Sequence, residues 1–156
     1  MKYKQLAREQ FEALHEEFAK FLATQQIDVK DWENIKKDKP SLAEEELNLF
    51  SDLVWENVLS KTNYLEHFSN QNINLFKCEE NEILRVVVQI NKPEFDFFNK
   101  DDYQWFIDNT TDDSIQFFKG VKKYDQERSL ELFDLIKKGG VISDGKLYES
   151  IRNLIG

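Results

Sequence analysis

A change of hydrophobic period near residue 70 constrains this chain more than any other feature. Upstream, apolar residues recur every three or four positions. Then "NINLFKC", "EENE" and "ILRVVVQI" follow one another over residues 72–90. Val86, Val87, Val88 and Ile90 are β-branched, with Arg85 and Gln89 among them, which suits a pleated surface solvated on one side. The pattern predicts strand, polar turn, strand, and so an antiparallel hairpin. A lone hairpin is marginal in water and must lie on helices or find another strand. The alternating "EFDFF" after Pro93 is the candidate third strand.

The rest reads as helix. Over 5–26, Phe11, Leu14, Phe18, Phe21 and Gln25 step by three or four, with Leu22 widening the stripe. Asp28 can cap a short helix carrying Val29, Trp32 and Ile35, which ends before Pro40. Ser41 to Glu44 has the spacing of a capping box, opening a helix to about Ser60 with Glu44, Glu45 and Glu46 in its first turn, where the dipole favours acid. A short helix is expected at 62–69, and others at 101–109, 113–123, 126–138 (capped by Asp125) and 145–155. Gly139-Gly140 is a helix stop, and Val141 and Ile142 after it are expected to dock on the core. The expected fold is α+β: a mostly helical single domain over 1–156, with a two- or three-stranded antiparallel hairpin element at about 73–98 packed on helices.

Charge narrows the partners. The net charge is −9, and the acidic excess sits in the middle of the chain: residues 41–60 hold five acids and no base, and 92–125 hold eight acids against five bases. A phosphate backbone would be repelled, so direct nucleic-acid binding is disfavoured and a basic protein partner is favoured. No signal-peptide h-region and no membrane-length apolar run are evident, and the single cysteine, Cys78, has no internal partner. A cytoplasmic protein is expected.

Glu12-x-x-His15 has the spacing of a di-iron helix motif, but the only other histidine, His67, follows Tyr64 by three, so the second half is missing. Cys78 and His67 raise a nucleophile pair, yet nothing near Cys78 marks a thiolate, and a buried or edge cysteine is the commoner case. Phosphate-binding glycine loops are absent, and "KKGGVISDGK" and "DNTTDDSIQFFK" both fail the calcium-loop pattern at their glycine or terminal glutamate positions. No cofactor is implied.

Residues 93–113, "PEFDFFNKDDYQWFIDNTTDD", hold six aromatic rings, seven carboxylates and one lysine. Asp101 and Asp102 can cap a helix carrying Tyr103, Trp105, Phe106 and Ile107, and Asp112 and Asp113 can do the same for the next. Glu94, Asp96 and Asp108 remain among more rings than one face can bury. An aromatic patch ringed by acid is what a docking face for a basic partner looks like. Glu94, Asp96, Asp102, Trp105 and Asp108 are its candidate residues.

"MKYKQLAREQFEALHEEFAKFLATQQID", "EEELNLFSDLVWENVLSKTNYLEHFS", "NINLFKC" and "LIKKGGVISDGKLYESI" resemble a family of small bacterial proteins of unassigned function found in Bacteroidota. The resemblance implies a cytoplasmic bacterial protein and carries no catalytic residues. The leading expectation is a non-enzymatic acidic module that binds a basic protein. One alternative is a metal-dependent enzyme using Glu12, His15 and helix carboxylates such as Glu45 and Asp52. Another is an immunity- or antitoxin-like inhibitor whose acidic face mimics nucleic acid.

Overall fold

A computed structural model describes all of residues 1–156. It divides into two compact units, Met1–Ser60 and Lys61–Gly156.

The first unit is helical: α1 (Arg8–Ala13), α2 (His15–Ala23), α3 (Val29–Asp38) and α4 (Pro40–Lys61). The single helix expected over 5–26 is broken at Leu14, whose backbone leaves the helical region at φ −106° and ψ 24°. The apolar stripe survives the break. Phe11, Phe18 and Phe21 all meet Phe50 with ring centroids 6.0, 5.0 and 5.5 Å away, and Trp32 sits edge-on to Phe18 at 5.2 Å. Asp28 caps α3 by accepting from the Asp31 N–H, and Asp31 answers with its own carboxylate. The box expected at Ser41 does not form. Pro40 takes the first helical position, which suits its fixed φ, so Ser41 lies inside α4 and the three glutamates fall past its first turn. The segment before α1 is strapped to α4: the Lys2 and Tyr3 N–H groups donate to Asp52 at 2.7 and 2.9 Å, and the Leu6 N–H to the buried Ser51 hydroxyl at 3.0 Å.

The second unit corrects the expected fold. It contains β1 (Tyr64–Phe68), β2 (Asn72–Cys78), β3 (Glu82–Ile90), α5 (Lys100–Asp108), β4 (Ile115–Lys123), α6 (Arg128–Lys137), β5 (Val141–Ser143) and α7 (Lys146–Ile155). The strands form one five-stranded antiparallel sheet in the order β4-β3-β2-β1-β5. A mostly helical protein with a two- or three-stranded hairpin is therefore wrong, although the β2–β3 hairpin itself is present.

Three misread segments account for the difference. In place of the helix expected at 62–69, Tyr64–Phe68 makes strand β1, because Leu65 and its neighbours pair with β2 from Tyr64↔Lys77 to Phe68↔Ile73. In the second, Ile115–Lys123 makes strand β4 in place of the helix expected at 113–123. Asp112 does accept from the Ser114 N–H and hydroxyl, at 2.9 and 2.6 Å, but this turn opens a strand rather than a helix. Val141 and Ile142 do not dock on the core: they form β5, are 65% and 45% exposed, and pair with β1. Conversely, "EFDFF" is no strand. The Phe95 N–H bonds back to the Lys92 carbonyl, and Glu94 has φ +67°.

One face of the sheet carries the core. Ile73, Leu75, Val86, Val88, Ile90 and Ile115 lie under Phe95, Phe97, Phe106, Tyr148 and Ile151, which come from the β3–α5 connection, α5 and α7. Alternation along β2 and β3 puts these residues on the same side. α7 is entered through Gly145 (φ +81°), where an added Cβ would clash with the Tyr64 ring. Glu149 of α7 accepts from the Tyr64 hydroxyl at 2.7 Å and pairs with Lys77 at 3.1 Å, bonds that hold its carboxyl below the usual range.

On the other face, α6 is clasped by Arg128. Its guanidinium donates to the carbonyls of Thr62, Cys78 and Glu79 at 2.6, 3.0 and 3.1 Å. α6 ends in a Schellman turn: the Gly139 N–H bonds the Ile136 carbonyl and the Gly140 N–H the Leu135 carbonyl, with Gly139 at φ +108°. The expected Asp125 cap is absent, since Glu127 is the first flanking residue and the Asp125 N–H donates instead to Glu131.

Replacing Arg128 with Met strips three carbonyls of a charged donor. Urea denaturation should show a loss of about 2 to 4 kcal/mol. A loss below roughly 0.5 kcal/mol, the scale of an ordinary surface substitution, would mean that the clasp does not hold α6.

Candidate interaction site

The residues picked from sequence as a docking face fall between β3 and the end of α5, and local bonds engage several of them. Asn99, not an aspartate, caps α5: its Oδ1 accepts from the Asp101 and Asp102 N–H groups at 2.9 and 3.1 Å. Asp102 closes the entry to the helix by accepting from the Asp96 N–H at 3.0 Å, and Asp96 accepts from the Phe98 N–H at 2.9 Å. Asp108 accepts from the Gln104 side chain at 3.1 and 3.2 Å.

The rings divide. Phe95 and Phe97 are buried, edge to face with centroids 4.9 Å apart, and Phe97 continues onto Phe106 at 5.4 Å. Trp105 leans on Phe95 at 6.0 Å, with the Lys92 ammonium 3.6 Å from its ring centroid. Trp105, Asp96 and Asp102 are thus half-buried and engaged, while Glu94 and Asp108 are exposed. Phe98 is 64% exposed and Ile107 42%. Helical spacing places Asp101, Gln104 and Asp108 on one face of α5, with Ile107 beside them. The acidic–aromatic surface is therefore Phe98 with the outer face of α5, a smaller set than the sequence suggested.

The alternative sites do not assemble. His15 and Glu12 are exposed; the His15 Nδ1 lies 3.0 Å from the Glu12 carbonyl oxygen, and the Glu12 carboxylate pairs with Arg8 at 3.2 Å. Asp52 is spent on the N-terminal strap, and Glu45 is exposed. No three histidine, cysteine or carboxylate groups converge where a metal ion could sit. Cys78 is buried at the end of β2. His67 pairs with Asn74, four residues along the same strand, so the two are about 13 Å apart. Burial pushes the Cys78 thiol up to about 11.

A surface that sequence reasoning missed is strand β4. It is an outer strand of the sheet, with Phe118 49% and Val121 64% exposed. The run "IQFFKGVKK" holds Lys119, Lys122 and Lys123 and no acid, in a protein of net charge −9. A groove of about 400 Å³ flanks it on each face. Phe76, Ile83, Lys122, Glu131 and Leu135 line the one beside α6. Leu84, Lys119, Val121, Tyr148 and Arg152 line the one beside α7. The signal was the acid-free run of lysines within strand-forming residues; read as helix, it had no edge to lie on.

By fold this is a helical unit followed by a unit built on an antiparallel sheet with one long outer strand open. The chain belongs to a family of unknown function, DUF6495, whose model matches residues 1–156. No curated protein and no solved structure matches it. No helix is long and apolar enough to cross a membrane.

The Cys78 environment makes a pH prediction. A thiol raised in the folded state favours folding fully below its unfolded value near 8.5, and that advantage is lost as pH climbs towards about 11. Thermal melts of wild type should decline over that window, with a shallower decline in Cys78→Ala. Iodoacetamide at pH 7.5 should leave the native thiol unmodified and label it on unfolding. Rapid native labelling would contradict the burial.

Proposed function

We propose that the protein is a non-enzymatic interaction module of the bacterial cytoplasm, in a Bacteroidota organism, that binds a basic protein partner. The observation that carries this reading is that the 94–108 stretch exposes two large apolar groups, Phe98 and Ile107, together with three carboxylates, Glu94, Asp101 and Asp108. Rings supply contact area at low entropy cost, and the acids steer and select a basic surface. An immunity-like inhibitor would use the same chemistry, so the partner class is common to both readings.

Asp102 is unsuited to a charge-reversal test, because its carboxylate closes the entry to α5. Asp101→Lys with Asp108→Lys leaves that bond in place. Captures from native cytosol at low and moderate salt should retain a basic protein on wild type, weakly at the higher salt, and reduce it about ten-fold or more on the double variant. Equal capture by both would sink this placement of the site.

A further inference from the structure

A second surface, of opposite charge, lies along β4. We propose that the outer edge of β4 is a docking site for an extended acidic segment of a partner protein, which joins the sheet as a sixth strand.

The backbone supplies the template. Three bonds fix which way each residue of the sheet points its amide: Ile90 N–H to the Gln71 carbonyl, Asn91 N–H to the Ser114 carbonyl, and Cys78 N–H to the Asn63 carbonyl. Antiparallel geometry then directs the main-chain groups of Gln116, Phe118, Gly120 and Lys122 to β3. Those of Phe117, Lys119, Val121 and Lys123 turn to the open edge. The register with β3 runs unbroken from Ile90↔Ile115 to Glu82↔Lys123. Neither a bulge nor a proline blunts this edge, and nine residues are more than a bound strand needs.

The two flanking grooves set the side-chain pattern, because an added strand sends alternate residues to opposite faces. The groove beside α7 carries Lys119 and Arg152 and no acidic lining residue. The groove beside α6 has an apolar floor of Phe76, Ile83 and Leu135, with Arg85 and Lys122 against the single acid Glu131. Gly120 leaves open space where a Cβ would stand. The ligand that fits alternates carboxylates with apolar residues.

Lysines on an edge strand commonly serve only to discourage self-pairing. Here they do that as well. Two copies joined through β4 would bring Lys119, Lys122 and Lys123 against the same lysines, so a second copy is the wrong occupant. The ties these lysines have are exposed and exchangeable: Lys122 to Asp125 at 3.0 Å, and Lys119 to the Gly156 carbonyl at 3.0 Å.

The test is fluorescence anisotropy of a labelled heptapeptide, Glu-Val-Glu-Val-Glu-Val-Glu, titrated with the full chain. It should bind saturably, at least about ten-fold more tightly than the Lys-Val counterpart or a version with a central proline. Val121→Pro removes an N–H that faces the open edge and no bond to β3, so it should stay folded by circular dichroism and lose the peptide. Lys119→Glu, an exposed change, should weaken binding about ten-fold. Asp101→Lys/Asp108→Lys should bind the peptide as wild type does, which separates this site from the acidic face. Absence of saturable binding, or binding indifferent to both β4 variants, overturns the proposal. So does a wild-type dimer in sedimentation that Val121→Pro dissociates, because the edge would then belong to a second copy.

Discussion

Strand β3 is the constraint on which the sheet-bearing unit depends. It pairs with β2 over seven residues on one side and with β4 over nine on the other. Val86, Val88 and Ile90 are almost wholly buried beneath α5, α7 and the connection between β3 and α5. Because side chains alternate strictly, a one-residue slip of β3 would send that row to the opposite face and undo both ladders together. The turn that starts it is short, closed by the Glu79 N–H on the Glu82 carbonyl at 3.0 Å. From there the order follows outward, β1 on the free side of β2 and β5 beyond it.

The same alternation distributes charge. Three of the seven carboxylates of the 94–113 stretch do backbone work: Asp96, Asp102 and Asp112 each accept from a main-chain N–H where the chain turns. Acid there reflects local hydrogen-bond demand first and long-range field second. What is left over is a modest acidic face on α5 and, on β4, a lysine-bearing edge with apolar side chains between the charges. A net charge of −9 conceals that polarity. The two surfaces have opposite sign and different geometry, one a helix face and the other a strand edge.

Legibility in the sequence tracked how local the decisive interaction was. The β2–β3 hairpin was readable because its β-branched run and polar turn are neighbours in the chain. The Asp28 cap and the Gly139-Gly140 stop were readable for the same reason: each is settled within five residues. β1 was not, since "TNYLEHFS" has no strong preference of its own and becomes strand through its pairing with β2, from Phe68↔Ile73 to Tyr64↔Lys77, and with the remote β5. β4 was hidden by Asp112, whose turn-forming bond looks the same in sequence whether a helix or a strand follows. On a helix the β4 lysines would have no sheet edge to occupy. Of the candidate docking residues, Glu94 and Asp108 are exposed. The engagement of Asp96, Asp102 and Trp105 depends on folds of the chain that spacing cannot reveal.

The most direct check of this account is residue-resolved amide hydrogen exchange on the free protein across β3 and β4. Slow exchange should be continuous along β3 and alternate along β4: Phe118, Gly120 and Lys122 protected, and Phe117, Lys119, Val121 and Lys123 open. That pattern would establish both the central position of β3 and the free edge beside it. Protection of consecutive amides from Phe117 to Lys122 would contradict it, because only a helix or a strand already covered on both sides protects every residue in turn.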